Sequence, residues 1–168
     1  YAPGVEYEGA ATGANKVWQC YSMIVRGILA QDEAKIKMGV DGLGTEFKYV
    51  DTGDGFYEDG SFVQHGWIPY TGGYGNGMLA DLTTISSLLH GSQWQLPEQY
   101  SDMLGSWVEN AYLPLVYKGA FMDMARGREI TRVTDHSTGR SILMSAYKVA
   151  KIAKPEVRDL SLIHISEP

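Results

Sequence analysis

The residues best suited to chemistry in this 168-residue chain lie in three separated groups. A glycine-rich stretch, 54–75, carries His65 and Tyr74, and both side-chain types can act as general acids or bases. Asn15 lies near the start of a predicted helix and brings two amide donors. The third group consists of permanently charged arginines: Arg126, Arg128 and Arg132. If the fold brings them together, such residues could transfer a proton and stabilise the negative charge that develops in a reaction.

Each of these residues also has a purely structural explanation. The side chain of Asn15 could serve only the helix N-terminus. His65 could be a hydrogen-bonded loop histidine, and Tyr74 a core aromatic residue whose hydroxyl has a partner. The arginines could form surface ion pairs with Asp123 and Glu129. Composition and residue spacing do not choose between these explanations and a functional one.

Other common kinds of site are not indicated. The glycines between Gly72 and Gly77 are neither preceded by a predicted strand nor followed by the Gly-Lys-Ser/Thr of a phosphate-binding loop. The acidic residues between Asp51 and Asp59 do not match the spacing of an EF-hand, and a solvated turn is the better interpretation. The four histidines are not paired at zinc-site spacing, and no Gly-x-Ser-x-Gly motif is present. We therefore expect neither a metal nor a cofactor.

Composition and charge narrow the class of protein. A hydrophobic content of 44% with 20% charged residues is typical of a folded domain. The net charge of -6 argues against nucleic acid or an anionic membrane surface as a partner. No apolar run approaches the roughly 20 residues that span a bilayer. The one cysteine, Cys20, lies on an apolar helical stripe, which predicts a buried and inert thiol. We also expect the protein to be a monomer.

The apolar spacing predicts helices and no sustained strand. The stripes indicate helices over about 14–30, over the segment around Ile36–Phe47, over about 78–89, from Pro97 to about Ala111, and over about 141–153. Long polar or glycine-rich connections, 51–74 and 119–137, separate them. Loops of that length in a compact helical domain are usually functional. The pattern predicts an all-α fold of antiparallel helical hairpins whose long loops gather at one end.

Three blocks of the chain resemble, in order and in spacing, the catalytic blocks of polysaccharide lyase family 8, which contains hyaluronate, chondroitin AC and xanthan lyases. The blocks are 12–16, 54–75 and 122–132, and the similarity covers about 8–153. The resemblance implies an incomplete (α/α) toroid, with residues 1–158 as part of the catalytic domain. Residues 159–168 fit no template and are interpreted as a non-native or disordered tail.

The reaction that the resemblance implies is β-elimination at a uronic acid of a polysaccharide, by residues that match the family's catalytic positions. Asn15 would neutralise the carboxylate, and His65 and Tyr74 would transfer the proton. Since a tyrosine ordinarily titrates near about 10, its phenol needs a cationic neighbour to act as a base near neutral pH, and Arg128 suits that purpose. Whether His65 or Tyr74 is the base stays open at this point.

Substrate and location are further expectations from the resemblance. Arg126, Arg132 and Trp67 are the predicted substrate-binding residues, although Trp67 could equally pack its own loop. The expected partner is an acidic polysaccharide, hyaluronan or chondroitin, with xanthan as an alternative, and the expected location is extracellular. Family members also use a later glutamate that this chain does not reach, so the isolated segment need not be active. The alternative function is a catalytically inactive, glycan-binding toroid fragment.

Overall fold

The computed structural model describes residues 11–153, and helices form most of this part of the chain. They are α1 (Ala14–Ala30), α2 (Glu33–Gly44), α3 (Asn76–Leu89), α4 (Glu98–Trp107) and α5 (Asp135–Ile152). Short strands lie in the two long connections: β1 (Gly55–Phe56), β2 (Phe62–Gln64), β3 (Ile68–Pro69), β4 (Val116–Tyr117) and β5 (Ala120–Phe121). β1, β2 and β3 form one antiparallel sheet, and β4 and β5 form another. The tail predicted at 159–168 lies outside the described residues.

Helices α1 and α2 form a closely packed hairpin. Asp32 caps α2, because its carboxylate accepts a hydrogen bond from the Lys35 backbone amide at 3.0 Å. A Cβ atom at Gly39 would lie 2.6 Å from a side-chain carbon of Ile24 on α1. The glycine that weakens the helical propensity of α2 therefore permits the two backbones to approach each other.

The core is built from one face of each helix together with the aromatic residues of the long connections. Helix α3 packs against α1 and α5, and α5 also contacts α4. The Phe56 ring stacks on Trp107 of α4 with ring centroids 4.0 Å apart, and Trp107 also stacks on Phe47. The Tyr112 hydroxyl donates to the backbone oxygen of Gly75 at 2.6 Å. These contacts attach the connection between α2 and α3 to the helical core.

The helices agree with the sequence prediction except near their ends. Helix α1 has the predicted bounds, whereas α5 begins at Asp135, ahead of the predicted start near Ser141. Helix α2 ends at Gly44, so Phe47 belongs to the following loop although it remains buried. Strands of two or three residues were not predicted, because a segment that short shows no alternation. No helix within residues 11–153 combines the length and apolar character that a bilayer-crossing segment requires.

Helix α3 provides a test of the packing, because it carries one buried and one exposed leucine. Leu82 is fully buried and Leu88 is 55% exposed. We expect Leu82→Ala to lower the free energy of unfolding by about 2–5 kcal/mol, since it removes buried methyl groups and leaves a cavity. Leu88→Ala should change it by no more than about 0.5 kcal/mol. Urea denaturation of both variants measures this, and equal losses would contradict the assigned core face.

Candidate active site

His65 lies at the tip of the hairpin formed by β2 and β3. Gln64 and Ile68 are the last paired residues, so the loop between them consists of 65–67. His65 has a φ of 59°, a left-handed conformation that is uncommon for residues other than glycine. The imidazole is exposed to solvent. The sharp turn therefore presents the histidine outward from a short, well-paired hairpin.

Arg128 contacts His65 directly. The Arg128 Nη2 atom lies 2.9 Å from His65 Nε2. A guanidinium has only donors, so the Nε2 atom must accept this hydrogen bond. The contact thus requires the tautomer of His65 whose Nε2 atom carries no proton. Two of the sequence blocks thus meet at a single hydrogen bond.

Tyr74 lies beside this pair on a short π-helical turn, Thr71–Gly75, that leads into α3. Its ring centroid is 4.7 Å from that of His65, in an edge-on arrangement, and 5.0 Å from that of Tyr70. Trp18 of α1 also packs against Tyr74, at 5.3 Å between ring centroids. Tyr74 is thus partly enclosed by aromatic rings and next to the Arg128–His65 contact.

Tyr70 positions Arg128 from below. Its ring is buried, and the Arg128 guanidinium carbon lies 5.9 Å from the ring centroid. Hydrogen bonding to the Tyr70 hydroxyl, together with the charges of nearby groups, raises the pKa of Arg128 above its usual range. Gly127 adopts a φ of 55°, and a Cβ atom there would collide with the Tyr70 ring. Only a glycine fits directly before Arg128 without displacing the Tyr70 ring.

Arg126 is buried and stabilises the segment that carries Arg128. Its guanidinium donates to the Asp123 carboxylate at 2.5 Å, to the backbone oxygens of Glu129 and Arg132 at 3.0 and 2.5 Å, and to the Thr134 hydroxyl at 2.8 Å. These acceptors belong to 123–134, a segment that contains two 3-10 turns, Asp123–Ala125 and Gly127–Thr131. The geometry favours a positioning role for Arg126 over the substrate contact predicted from the sequence.

Asn15 lies in the first turn of α1, which is bonded to the His65 hairpin. The Ala14 amide donates to the side-chain oxygen of Gln64 at 3.1 Å. Trp18, one turn further along α1, contacts Tyr74. Since residues three apart share a helix face, Asn15 is on the side of α1 that faces the site. All three sequence blocks therefore converge on the same region.

Two clefts adjoin this region. One, of about 420 Å³, is lined by Tyr74 and Arg132 together with Trp18, Asn76, Glu129 and Thr134. The Arg132 guanidinium also pairs with Glu129 at 2.6 Å. The other, of about 500 Å³, is lined by His65, Asp54 and Lys48 among others. Trp67 is 79% exposed, so its ring does not pack the loop and is free to stack on a ligand.

Several contributors were not singled out from the sequence. Trp18 covers Tyr74, and its indole donates toward the partly buried Asp81 carboxylate, whose pKa burial raises. Tyr70 carried no signal beyond its type. The interpretation of the acidic loop as a solvated turn is wrong for Asp54, which accepts three hydrogen bonds from protein donors. Within residues 11–153, no group of three or more His, Cys, Asp or Glu side chains is arranged to hold a metal ion.

The family assignment follows from comparison of the whole chain with known proteins. Residues 3–164 match the model of polysaccharide lyase family 8, N-terminal alpha-helical domain. The chain belongs to polysaccharide lyase family 8. This confirms both the resemblance noted in the sequence and the all-α fold class.

Similar proteins carry related names. The chain is 44% identical over 147 residues to xanthan lyase of Bacillus sp. strain GL1, a match that covers 84% of the chain and 16% of that lyase. It is 39% identical over 147 residues to hyaluronate lyase of Thermasporomyces composti, covering 86% of the chain and 19% of the relative. The Streptomyces coelicolor A3 chondroitin AC lyase, solved with chondroitin sulphate, aligns with a TM-score of 0.86 and 38% identity over 93% of the chain and 22% of that lyase. The chain thus spans less than a quarter of the length of these relatives.

The buried guanidinium of Arg126 can be tested against an exposed arginine. We expect Arg126→Met to lower the free energy of unfolding by about 2–4 kcal/mol, because it removes several hydrogen bonds from a charged donor. Arg140→Met, at an exposed position of α5, should change it by no more than about 0.5 kcal/mol. Urea denaturation of both variants decides the matter, and an unaffected Arg126→Met variant would show that the 123–134 segment does not depend on this side chain.

Proposed function

We propose that this chain supplies the catalytic centre of a polysaccharide lyase that cleaves a uronic-acid polymer by β-elimination. The observation that carries the proposal is the contact of Arg128 with His65 at 2.9 Å beside the Tyr74 ring. It unites a cation, an imidazole and a phenol from two distant loops. Membership of a family whose relatives are xanthan and hyaluronate lyases supports the same reaction.

The reaction requires that negative charge be stabilised next to an existing carboxylate. Removal of the proton at C5 of the uronic acid creates an enolate at its carboxyl group. We assign Asn15 to this carboxyl group, because amide donors aimed at a developing oxyanion lower the barrier, with about 3–4 kcal/mol lost when one such donor is removed. Its place in the first turn of α1, on the face toward Tyr74, supports this assignment.

We assign proton transfer to Tyr74. The Nε2 atom of His65 already accepts a hydrogen bond from Arg128, so it can take a proton only if that contact breaks. The Tyr74 oxygen takes the C5 proton, the bond from C4 to the glycosidic oxygen breaks, and a C4–C5 double bond forms. The departing oxygen then receives a proton from Tyr74, which restores the phenolate for the next cycle. Arg128, which contacts His65 beside the Tyr74 ring, keeps its positive charge throughout the cycle.

Substrate contacts are assigned to the exposed side chains around this centre. Arg132 lines the cleft beside Tyr74 and is charged, which suits an acidic polymer. The exposed Trp67 ring suits stacking on a sugar. We propose hyaluronan, chondroitin or xanthan as the polymer, an extracellular location and a monomeric state, with the helical hairpins forming part of an (α/α) toroid. A toroid segment that binds glycan without turnover is the alternative.

The proposal is tested by turnover in a full-length protein that carries this chain. Each of the three polymers is supplied, and the new double bond is followed by its ultraviolet absorbance. Absorbance growing on at least one polymer is the expected result. No absorbance on any uronate polymer, together with retained polymer binding, would instead establish the glycan-binding alternative.

Tyr74 should be indispensable to that turnover. We expect Tyr74→Phe to lower kcat by at least about 100-fold, because the phenol carries the proton, with polymer binding retained. Tyr117→Phe, at an exposed position on β4, serves as the matched control and should leave kcat within about 2-fold, since it removes no group from the site. Turnover by Tyr74→Phe at the unmodified rate would remove this residue from the mechanism.

A further inference from the structure

We propose that Asp54 and Gln64 are positioning residues that lock the His65 hairpin onto the end of α1 that carries Asn15. The inference rests on the proposed function, since it concerns how two parts of that centre are held together. His65 contacts Arg128 beside Tyr74, and Asn15, from another sequence block, is assigned to the carboxyl group, so their separation must be maintained for the centre to act on one sugar. The bonds between the two blocks run through the side chains of Asp54 and Gln64.

Asp54 receives donors from three parts of the site. Its Oδ2 atom accepts from the Thr12 hydroxyl at 2.8 Å and from the Gln64 side-chain amide at 2.5 Å. Its Oδ1 atom accepts from the Gly66 backbone amide at 2.6 Å. One carboxylate therefore joins the residues before α1, the strand β2 and the tip of the hairpin. Hydrogen bonds to an ionised acceptor are stronger than those between neutral groups.

Gln64 completes the connection to α1. Its side chain is fully buried, and its Oε1 atom accepts from the Ala14 amide at 3.1 Å while its Nε2 atom donates to Asp54. The preceding amide, that of Gly13, donates to Glu46 at 2.8 Å. A fully buried amide must satisfy its polar atoms within the protein, so the orientation of Gln64 is specified on both sides. The start of α1 and the residue before His65 are thereby held in register.

The hairpin tip needs such support because its backbone is strained. His65 and Gly66 both have positive φ, at 59° and 79°. A non-glycine residue in that conformation persists only where surrounding contacts enforce it. The bond from the Gly66 amide to Asp54 is the contact that supports the turn at this point. Without it, the imidazole would lose its fixed direction toward Arg128.

The Asp54–Gln64 hydrogen bond has a defined direction, so the proposal can be tested by swapping the donor and the acceptor. Asp54→Asn leaves one acceptor oxygen where there were two, so the introduced amide nitrogen faces either the Gln64 amide or the Gly66 amide. Gln64→Glu would place a carboxylate against the Asp54 carboxylate. Either single change replaces a donor–acceptor pair by two like groups. The double variant D54N/Q64E restores the pair with its direction reversed. The amide introduced at position 54 then donates to the carboxylate introduced at position 64, and that carboxylate still accepts from the Ala14 amide.

We expect each single variant to lower kcat about 10–100-fold with KM changed less than about 3-fold, because a displacement near 1 Å at a reacting group costs roughly that much. The double variant should recover kcat to within about 5-fold of the unmodified protein, which simple additivity of two losses would not allow. Asp59→Asn is the control: this exposed acid on the same connection bonds Ser61, its close neighbour in the chain, and kcat should stay within about 2-fold.

Hydrogen exchange at the Gly66 amide provides a readout that does not need turnover. It should quicken by about 10-fold or more in each single variant and slow again in the double variant, because the bonded amide is protected only while its acceptor is held. Unchanged kcat and exchange in the single variants would overturn the proposal. A lowered kcat and quickened exchange that do not recover in D54N/Q64E would overturn it as well. If the unmodified protein shows no turnover, the proposed function fails, and the exchange data alone still decide the role of Asp54 and Gln64.

Discussion

The buried ring of Tyr70 is the contact on which the geometry of the site depends. It packs against Gly73 in its own connection and against Gly127 in the distant one, at separations that only a missing Cβ permits. The same ring lies close to those of His65 and Tyr74, below the Arg128 guanidinium, and its hydroxyl reaches Glu129. Because this one ring lies against His65, Tyr74 and Arg128, the distances among these three side chains follow from its packing.

At the edges of the site, buried polar side chains fix the positions of the surrounding segments by hydrogen bonds. Arg126 donates hydrogen bonds to backbone carbonyls of a segment that has no long regular helix. Gln64 connects a short strand to the start of α1. In each case a side chain replaces the backbone hydrogen bonds that a longer element would supply. The site can therefore be built on loops and still hold its side chains in defined positions.

The exposed and the buried side chains of the site have different proposed roles. The groups assigned to contact substrate, Arg132 and Trp67, are exposed, while Tyr70, Gln64 and Arg126, which hold the site together, are buried. In the proposed reaction, the exposed charges keep their hydration until substrate binds, and the aromatic rings around Tyr74 limit the access of water to the phenol. The proposed substrate, a long acidic polymer, can reach such a centre without entering an enclosed cavity.

The sequence by itself determined the helical class and placed four of the five helices to within a few residues, because apolar periodicity is a local property of the chain. It also identified the three blocks that converge, because motif spacing is local too. Only the tertiary structure decided which arginine faces the site. Arg126 and Arg128 are two positions apart, yet one is buried and the other exposed, since the turn at Gly127 sends them in different directions. It also decided that Asp54 is a network centre and that Trp18 covers Tyr74, because both roles depend on contacts between residues far apart in the chain.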